Sequence, residues 1–232
     1  MDNKSRLIVA LDVPTTDEAH ALVEQIGDAA SFYKIGLELL YNGGLDLARR
    51  LIDQGFDIFI DAKLHDIPNT VERATRQISE LGATFLTVHA YPQTMQAALD
   101  GRGHAKLKII GVTILTSMSE LDAKAAGYDK SIPDLVTQRA ESAKKIGIDG
   151  IVCSPMEARA ARQILGPGAL VVTPGIRMPD DSAGDQSRVE TPSSALKHGA
   201  SHIVVGRPIT RADDPRSSAL AIVADMNRGL AA

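Results

Sequence analysis

Tryptophan is absent from this chain of 232 residues, and aromatic side chains make up only 3% of it. A sizeable core must therefore be aliphatic, and the 44% hydrophobic content supplies enough Ile, Leu, Val and Ala for one. A single cysteine, Cys153, excludes an intrachain disulfide and argues against a cysteine-based zinc site. It lies in an apolar stretch and reads as core rather than as a nucleophile. No apolar run approaches the roughly 18 residues of a membrane span. The charged start Met1–Arg6 lacks a signal-peptide apolar region. A cytoplasmic protein without membrane contact is expected. A basic excess is also missing: 25 Lys and Arg stand against 29 Asp and Glu, for a formal net charge of −4. Nothing global attracts nucleic acid, so an anionic ligand must be held by a local site.

What the chain has is alternation. Strands are predicted at Leu7–Val13, Phe32–Leu37, Asp57–Leu64, Phe85–His89, Lys108–Leu115, Gly150–Ser154, Ala169–Thr173 and His202–Val205. Helical patterns follow at Thr15–Ile26, Leu45–Gln54, Ile67–Leu81, Gln93–Asp100, Pro133–Ile146, Pro155–Leu165, Pro192–His198 and Ser217–Asn227, with a weaker one at Glu120–Ala126. Glycines 55, 82, 101, 147, 166 and 199 mark stops. Strands alternating with helices imply parallel pairing. Eight units without a linker predict an α/β fold, one (β/α)8 TIM barrel spanning residues 1–232. An open doubly wound sheet is the alternative, but the turn Asp12-Val13-Pro14-Thr15 has no Gly-x-Gly.

In a barrel, functional groups gather at the C-terminal strand ends. Those positions hold Asp12, Lys34, Asp61, Lys63, Asp66, His89, Thr116, Ser117, Ser154, Arg177, Gly206 and Arg207. Residues two apart in a strand share a face, so Asp61 and Lys63 can touch. Lys34 and Lys63 lie in otherwise apolar strands, where a lone ammonium is costly; Asp12 and Asp61 are the available partners. The alternative is that both lysines snorkel to the rim as a solvated charge cluster. Neighbouring carboxylates favour the charged form of Lys63, which suits a general acid better than a Schiff-base nucleophile. Gly206-Arg207 and the polar loop Arg177–Glu190, with Gly184-Asp185-Gln186, fall where barrels bind phosphate; a turn glycine beside a solvated arginine is the plainer alternative. His65, His89, Asp61 and Asp66 could suggest a divalent metal, but Lys63 competes for the carboxylates, so no metal is expected. His20, His104, His198 and His202 read as surface or packing residues, and Tyr91 as a rim or packing residue.

Asp61-x-Lys63-x-x-Asp66-Ile67-Pro68-Asn69-Thr70 resembles the signature of the orotidine 5′-phosphate decarboxylase family. Leu11-Asp12, Lys34, Val88-His89-Ala90, Leu115-Thr116-Ser117-Met118, Pro174-Gly175-Ile176-Arg177, Gly184-Asp185-Gln186 and Val205-Gly206-Arg207-Pro208 resemble its other motifs in order. The resemblance covers nearly the whole chain. It implies a homodimeric barrel that converts orotidine 5′-monophosphate to UMP and carbon dioxide, with no cofactor or metal. It also implies roles: Lys63 as proton donor to C6, Asp61 beside the departing carboxylate, Asp12 and Lys34 on the ribose and in the charged array. Asp66 and Thr70 would reach into the partner's site. Thr116 and Ser117 would face the base, with Ser154 nearby. Gln186, Gly206 and Arg207 would grip the phosphate, and Arg177 would support the loop. Tyr91-Pro92-Gln93 departs from the glycine-containing segment frequent in the family. Two other readings remain: a magnesium-dependent relative resembling 3-keto-gulonate-6-phosphate decarboxylase or hexulose-phosphate synthase, and a non-catalytic nucleotide-phosphate binder.

Overall fold

A computed structural model describes residues 3–178 and 190–230. Eight parallel strands close into a barrel in sequence order: β1 Leu7–Ala10, β2 Phe32–Ile35, β3 Asp57–Leu64, β4 Phe85–His89, β5 Lys108–Val112, β6 Gly150–Val152, β7 Leu170–Thr173 and β8 His202–Val205. Closure is made by β1 on β8, with Val9 opposite Val205. The helices are α1 Thr16–Ile26, α2 Leu37–Leu40, α3 Gly44–Asp53, α4 Pro68–Leu81, α5 Pro92–Arg102, α6 Glu120–Ala125, α7 Ile132–Ile146, α8 Ala158–Leu165, α9 Pro192–Lys197, α10 Arg207–Thr210 and α11 Pro215–Leu230. The (β/α)8 expectation is met, and the open-sheet alternative falls away.

Local chemistry sets most boundaries. The Thr15 hydroxyl accepts the Glu18 N–H at 3.2 Å and starts α1. Ser131 and Thr191 cap α7 and α9 in the same way, each followed by a proline in the first turn. Strands β1, β2, β5 and β6 end two or three residues earlier than their apolar runs, because the chain leaves the ladder there to form the loops of the mouth. Pro155–Glu157 is a 3-10 turn rather than the start of a helix. Gly101 does not end a helix. It lies within α5, where an added Cβ would stand 2.2 Å from the Glu72 carbonyl oxygen of α4. The stop is Gly103, at φ 57°.

The core has two layers. Inside the barrel are Ile8, Ala10, Phe32, Phe59, Phe85, Ile110, Val172 and Val204. Between the strands and helices lies a larger, mainly aliphatic shell that includes Leu7, Val9, Leu47, Leu86, Ile109, Cys153 and Ile203. The expected aliphatic core thus describes the shell, whereas the inner layer concentrates three of the four phenylalanines. Phe32 meets Phe85 edge-on at 4.9 Å, and Phe85 meets His202 at 5.2 Å. Burial, with Arg6 nearby, pushes the His202 imidazole down to about 4. An imidazole whose folded pKa lies below its unfolded value stabilises the fold above about pH 6.5, and this contribution is lost as pH falls toward 4. His202→Gln is therefore expected to flatten the dependence of the unfolding midpoint on pH between about 6.5 and 4. Denaturant titrations should show the wild type losing up to roughly 3 kcal/mol more than the variant across that window.

Candidate active site

The C-terminal end of the barrel opens on a cavity of about 490 Å3. On one wall four charged side chains form a continuous chain of ion pairs. Lys34 Nζ lies 2.8 Å from Asp12 Oδ1 and 3.4 Å from Asp61 Oδ2, and Lys63 Nζ lies 2.8 Å from the same Asp61 oxygen. Two carboxylates and two ammoniums alternate, so the buried pair Lys34 and Asp61 is compensated on both sides. Gly36 leaves room for this array, since an added Cβ would stand 2.7 Å from Asp12 Oδ1 and 3.0 Å from Lys34 Nζ. Burial alone would raise the Asp61 carboxyl, but Lys34, Lys63 and a hydrogen bond from Thr87 hold it below the usual carboxylate range. Burial works against the Lys34 charge, and Asp61 and Asp12 outweigh it, so Lys34 stands above the usual lysine value.

Lys63 reaches this position through an irregular backbone. Ile60 pairs with Leu86 and Leu64 with Val88, so β3 carries two more residues than β4 between those points. Lys63 is the one non-glycine among the described residues with positive φ, at 48°. That conformation costs on the order of 1–2 kcal/mol. The Asp61–Lys63 contact expected from simple alternation is present, but it is made across a bulge rather than along a regular pleat. Thr87 in β4 takes up the slack. Its hydroxyl donates to Asp61 Oδ1 at 2.8 Å and accepts the Lys63 N–H at 3.0 Å.

Three cations from the ends of β7 and β8, Arg177, Arg207 and Arg211, line the same cavity. Arg207 opens α10 directly after Gly206, and Arg211 follows one turn later. Arg177 sits at the base of the strand-seven loop, where its N–H bonds Glu190 O at 3.0 Å and an isolated bridge joins Ile176 to Glu190. Apolar lining comes from Phe59, Val112, Ile114 and Val204.

Of the residues singled out from sequence, Asp12, Lys34, Asp61, Lys63, Thr116, Arg177, Gly206 and Arg207 come together around this one cavity. Ser117 is exposed and Ser154 fully buried, and neither is in the lining. Asp66 and Thr70 are exposed and also outside it; Asp66 Oδ1 accepts the Ile67 N–H at 2.6 Å. Gly184, Asp185 and Gln186 lie outside the described residues. Tyr91 is a packing residue: it stacks on His65 at 4.6 Å and bonds Arg139 and Tyr128 through its hydroxyl. Sequence reading missed Arg211 and Thr87. Arg211 stands four residues after Arg207, the spacing that brings two side chains to one helix face. Thr87 is the polar residue within the apolar run Phe85–Val88.

A barrel whose mouth is lined by a lysine–aspartate array and three arginines has the charges of an enzyme site suited to a small phosphorylated, anionic molecule. Residues 5–222 match the model of the orotidine 5′-phosphate decarboxylase / HUMPS family, and the chain belongs to that family. It is 60% identical over 225 residues to the orotidine 5′-phosphate decarboxylase of Methylorubrum extorquens (strain PA1), with 97% of each chain covered. The enzyme of the same name from Rhodopseudomonas palustris (strain HaA2) is 54% identical over 224 residues, with 97% of this chain and 95% of that one covered. Among solved structures, the orotidine 5′-phosphate decarboxylase of Lactobacillus acidophilus superposes with a TM-score of 0.84 at 39% identity, covering 96% of this chain and 99% of that one.

Proposed function

We propose that this chain decarboxylates orotidine 5′-monophosphate to UMP and carbon dioxide in de novo pyrimidine biosynthesis, in the cytoplasm and with residues 1–232 acting as one barrel domain. The observation that carries this reading is that the Asp12–Lys34–Asp61–Lys63 array and three arginines line one cavity. It gives the reacting end and the phosphate end of a nucleotide separate sets of charges. The names of the relatives favour this substrate over the sugar phosphates of magnesium-dependent members.

Loss of carbon dioxide from C6 leaves a vinylic carbanion with little resonance relief. The Lys63 ammonium, held by Asp61 in a fixed place, stabilises that charge as it develops and then donates the proton. No cofactor or metal is required for either step. Asp61 lies beside the departing carboxylate, and Asp12 and Lys34 bind the ribose hydroxyls. Thr116 faces the base, with Ser117 next to it at the rim. Arg207, the Gly206 backbone and Gln186 hold the phosphate, and Arg177 supports the strand-seven loop. The chain works as a homodimer in which Asp66 and Thr70 complete the partner's site. The unbroken exposed run His65–Thr70, with Ile67 at 65% exposure, supports that assignment.

The direct test follows the ultraviolet absorbance of orotidine 5′-monophosphate with purified protein and EDTA present. Steady loss is the expected result. Binding of UMP without turnover, or EDTA-sensitive turnover of sugar phosphates alone, would overturn the proposal. Arg207→Ala should lower kcat/KM by roughly 10- to 100-fold, the worth of a charge-assisted hydrogen bond, and titration calorimetry should show weaker UMP binding.

A further inference from the structure

Thr87 stands at the one place where β3 and β4 fall out of register, and it is completely buried. A hydroxyl has one hydrogen to give and lone pairs to receive. Here the chemistry of the neighbours fixes the direction of both bonds. An ionised carboxylate can only accept, so the hydroxyl donates to Asp61 Oδ1 at 2.8 Å. A backbone N–H can only donate, so the hydroxyl accepts from Lys63 at 3.0 Å. The two extra residues of β3 disturb the regular ladder at Lys63, and the hydroxyl receives the amide of that left-handed residue. Asp61 is thereby divided: Oδ1 goes to Thr87, while Oδ2 faces Lys63 from β3 and Lys34 from β2.

We infer that Thr87 is a positioning residue for the reaction, its hydroxyl tying the Asp61 carboxylate to the Lys63 backbone so that the Lys63 ammonium is held in one orientation. This rests on the decarboxylase reading of Asp61 and Lys63. A threonine that served only to pack β4 would tolerate valine, which has nearly the same shape. A threonine that positions would not, because valine leaves a buried N–H and one carboxylate oxygen without their partner. A misplacement of about 1 Å is enough to slow a positioned reaction by roughly 100-fold.

The experiment compares wild type, Thr87→Val and Thr87→Ser in decarboxylation of orotidine 5′-monophosphate across pH. Thr87→Val should lower kcat by roughly 10- to 100-fold with KM changed by less than about threefold. Its acid limb should move to higher pH, since Asp61 has lost one of the groups favouring its charged form. Thr87→Ser keeps the hydroxyl and should recover most of kcat and the wild-type acid limb. Thr87→Ala carries the same expectation as valine if the valine chain does not fold. Wild-type kcat and pH profile in the hydroxyl-free variant would overturn the inference, as would serine losing as much as valine. Absence of turnover by the wild type would instead overturn the decarboxylase reading, so the two failures are distinct.

Discussion

Lys63→Ala should lower decarboxylation by roughly 10^4-fold or more while UMP still binds. Two effects are lost together. A fixed charge aimed at the developing carbanion contributes on the order of 10^2- to 10^3-fold, and a positioned proton donor roughly 10^2- to 10^4-fold. Binding should persist because the arginines and apolar side chains that line the cavity are untouched. The fold should persist as well, since the Lys63 side chain is about 30% exposed and its removal opens no sealed core cavity. Removing it does leave Asp61 with Lys34 and Thr87 as its remaining partners. Single-turnover absorbance measurements, paired with calorimetric titration of UMP, check both halves of the expectation. Near-wild-type turnover would remove Lys63 from the proton-donor role.

The array explains why this lysine has to be bought with so many neighbours. Lys34 is buried and Lys63 half-buried, and each shares the single carboxylate Asp61. Asp12, whose side chain is 58% exposed, balances the second ammonium from the rim. Truncating Asp61 would leave two cations facing one partly solvated acid. That is a larger disturbance than truncating Lys63, and it makes the lysine variant the cleaner test of chemistry.

Much of this arrangement is legible in the chain, for identifiable reasons. The limits of β3, β4 and β8 match those expected from the chain, with Gly55 shortly before β3, Pro92 shortly after β4 and Gly206 directly after β8 as turn residues. Lys34 and Lys63 are conspicuous because lysine inside an apolar strand needs a partner. Other features leave no local signal. One turn of helix has no period to read, so α2 and α10 are invisible in the pattern. Gly101 looks like a stop until α4 is seen packed against it. Thr87 is at home in any strand, and its role depends on a register shift between two strands some 20 residues apart in sequence. The left-handed Lys63 is likewise a product of that pairing rather than of its neighbours in sequence.

Mixing two inactive chains, Lys63→Ala and Asp66→Ala, should restore about a quarter of wild-type activity at equal concentrations. Random exchange gives half the dimers one chain of each kind. In such a dimer one site has lost both groups, and the other combines an intact Lys63 with an intact Asp66 from its partner. Half the dimers with one good site of two gives a quarter of all sites. The expectation follows from the way the backbone separates residues that are close in sequence. Asp61 and Lys63 turn into the cavity, whereas Asp66 lies three residues beyond Lys63 on an exposed turn, outside the lining. In the proposed homodimer, a side chain so placed contributes to the cavity of the other copy. Activity should therefore appear on a time course set by subunit exchange, followed by mass spectrometry of differently tagged chains. Exchange without recovery would place Asp66 in the same site as the Lys63 of its own chain and overturn the shared site, and recovery well above a quarter would mean that one of the two chains was not inactive on its own.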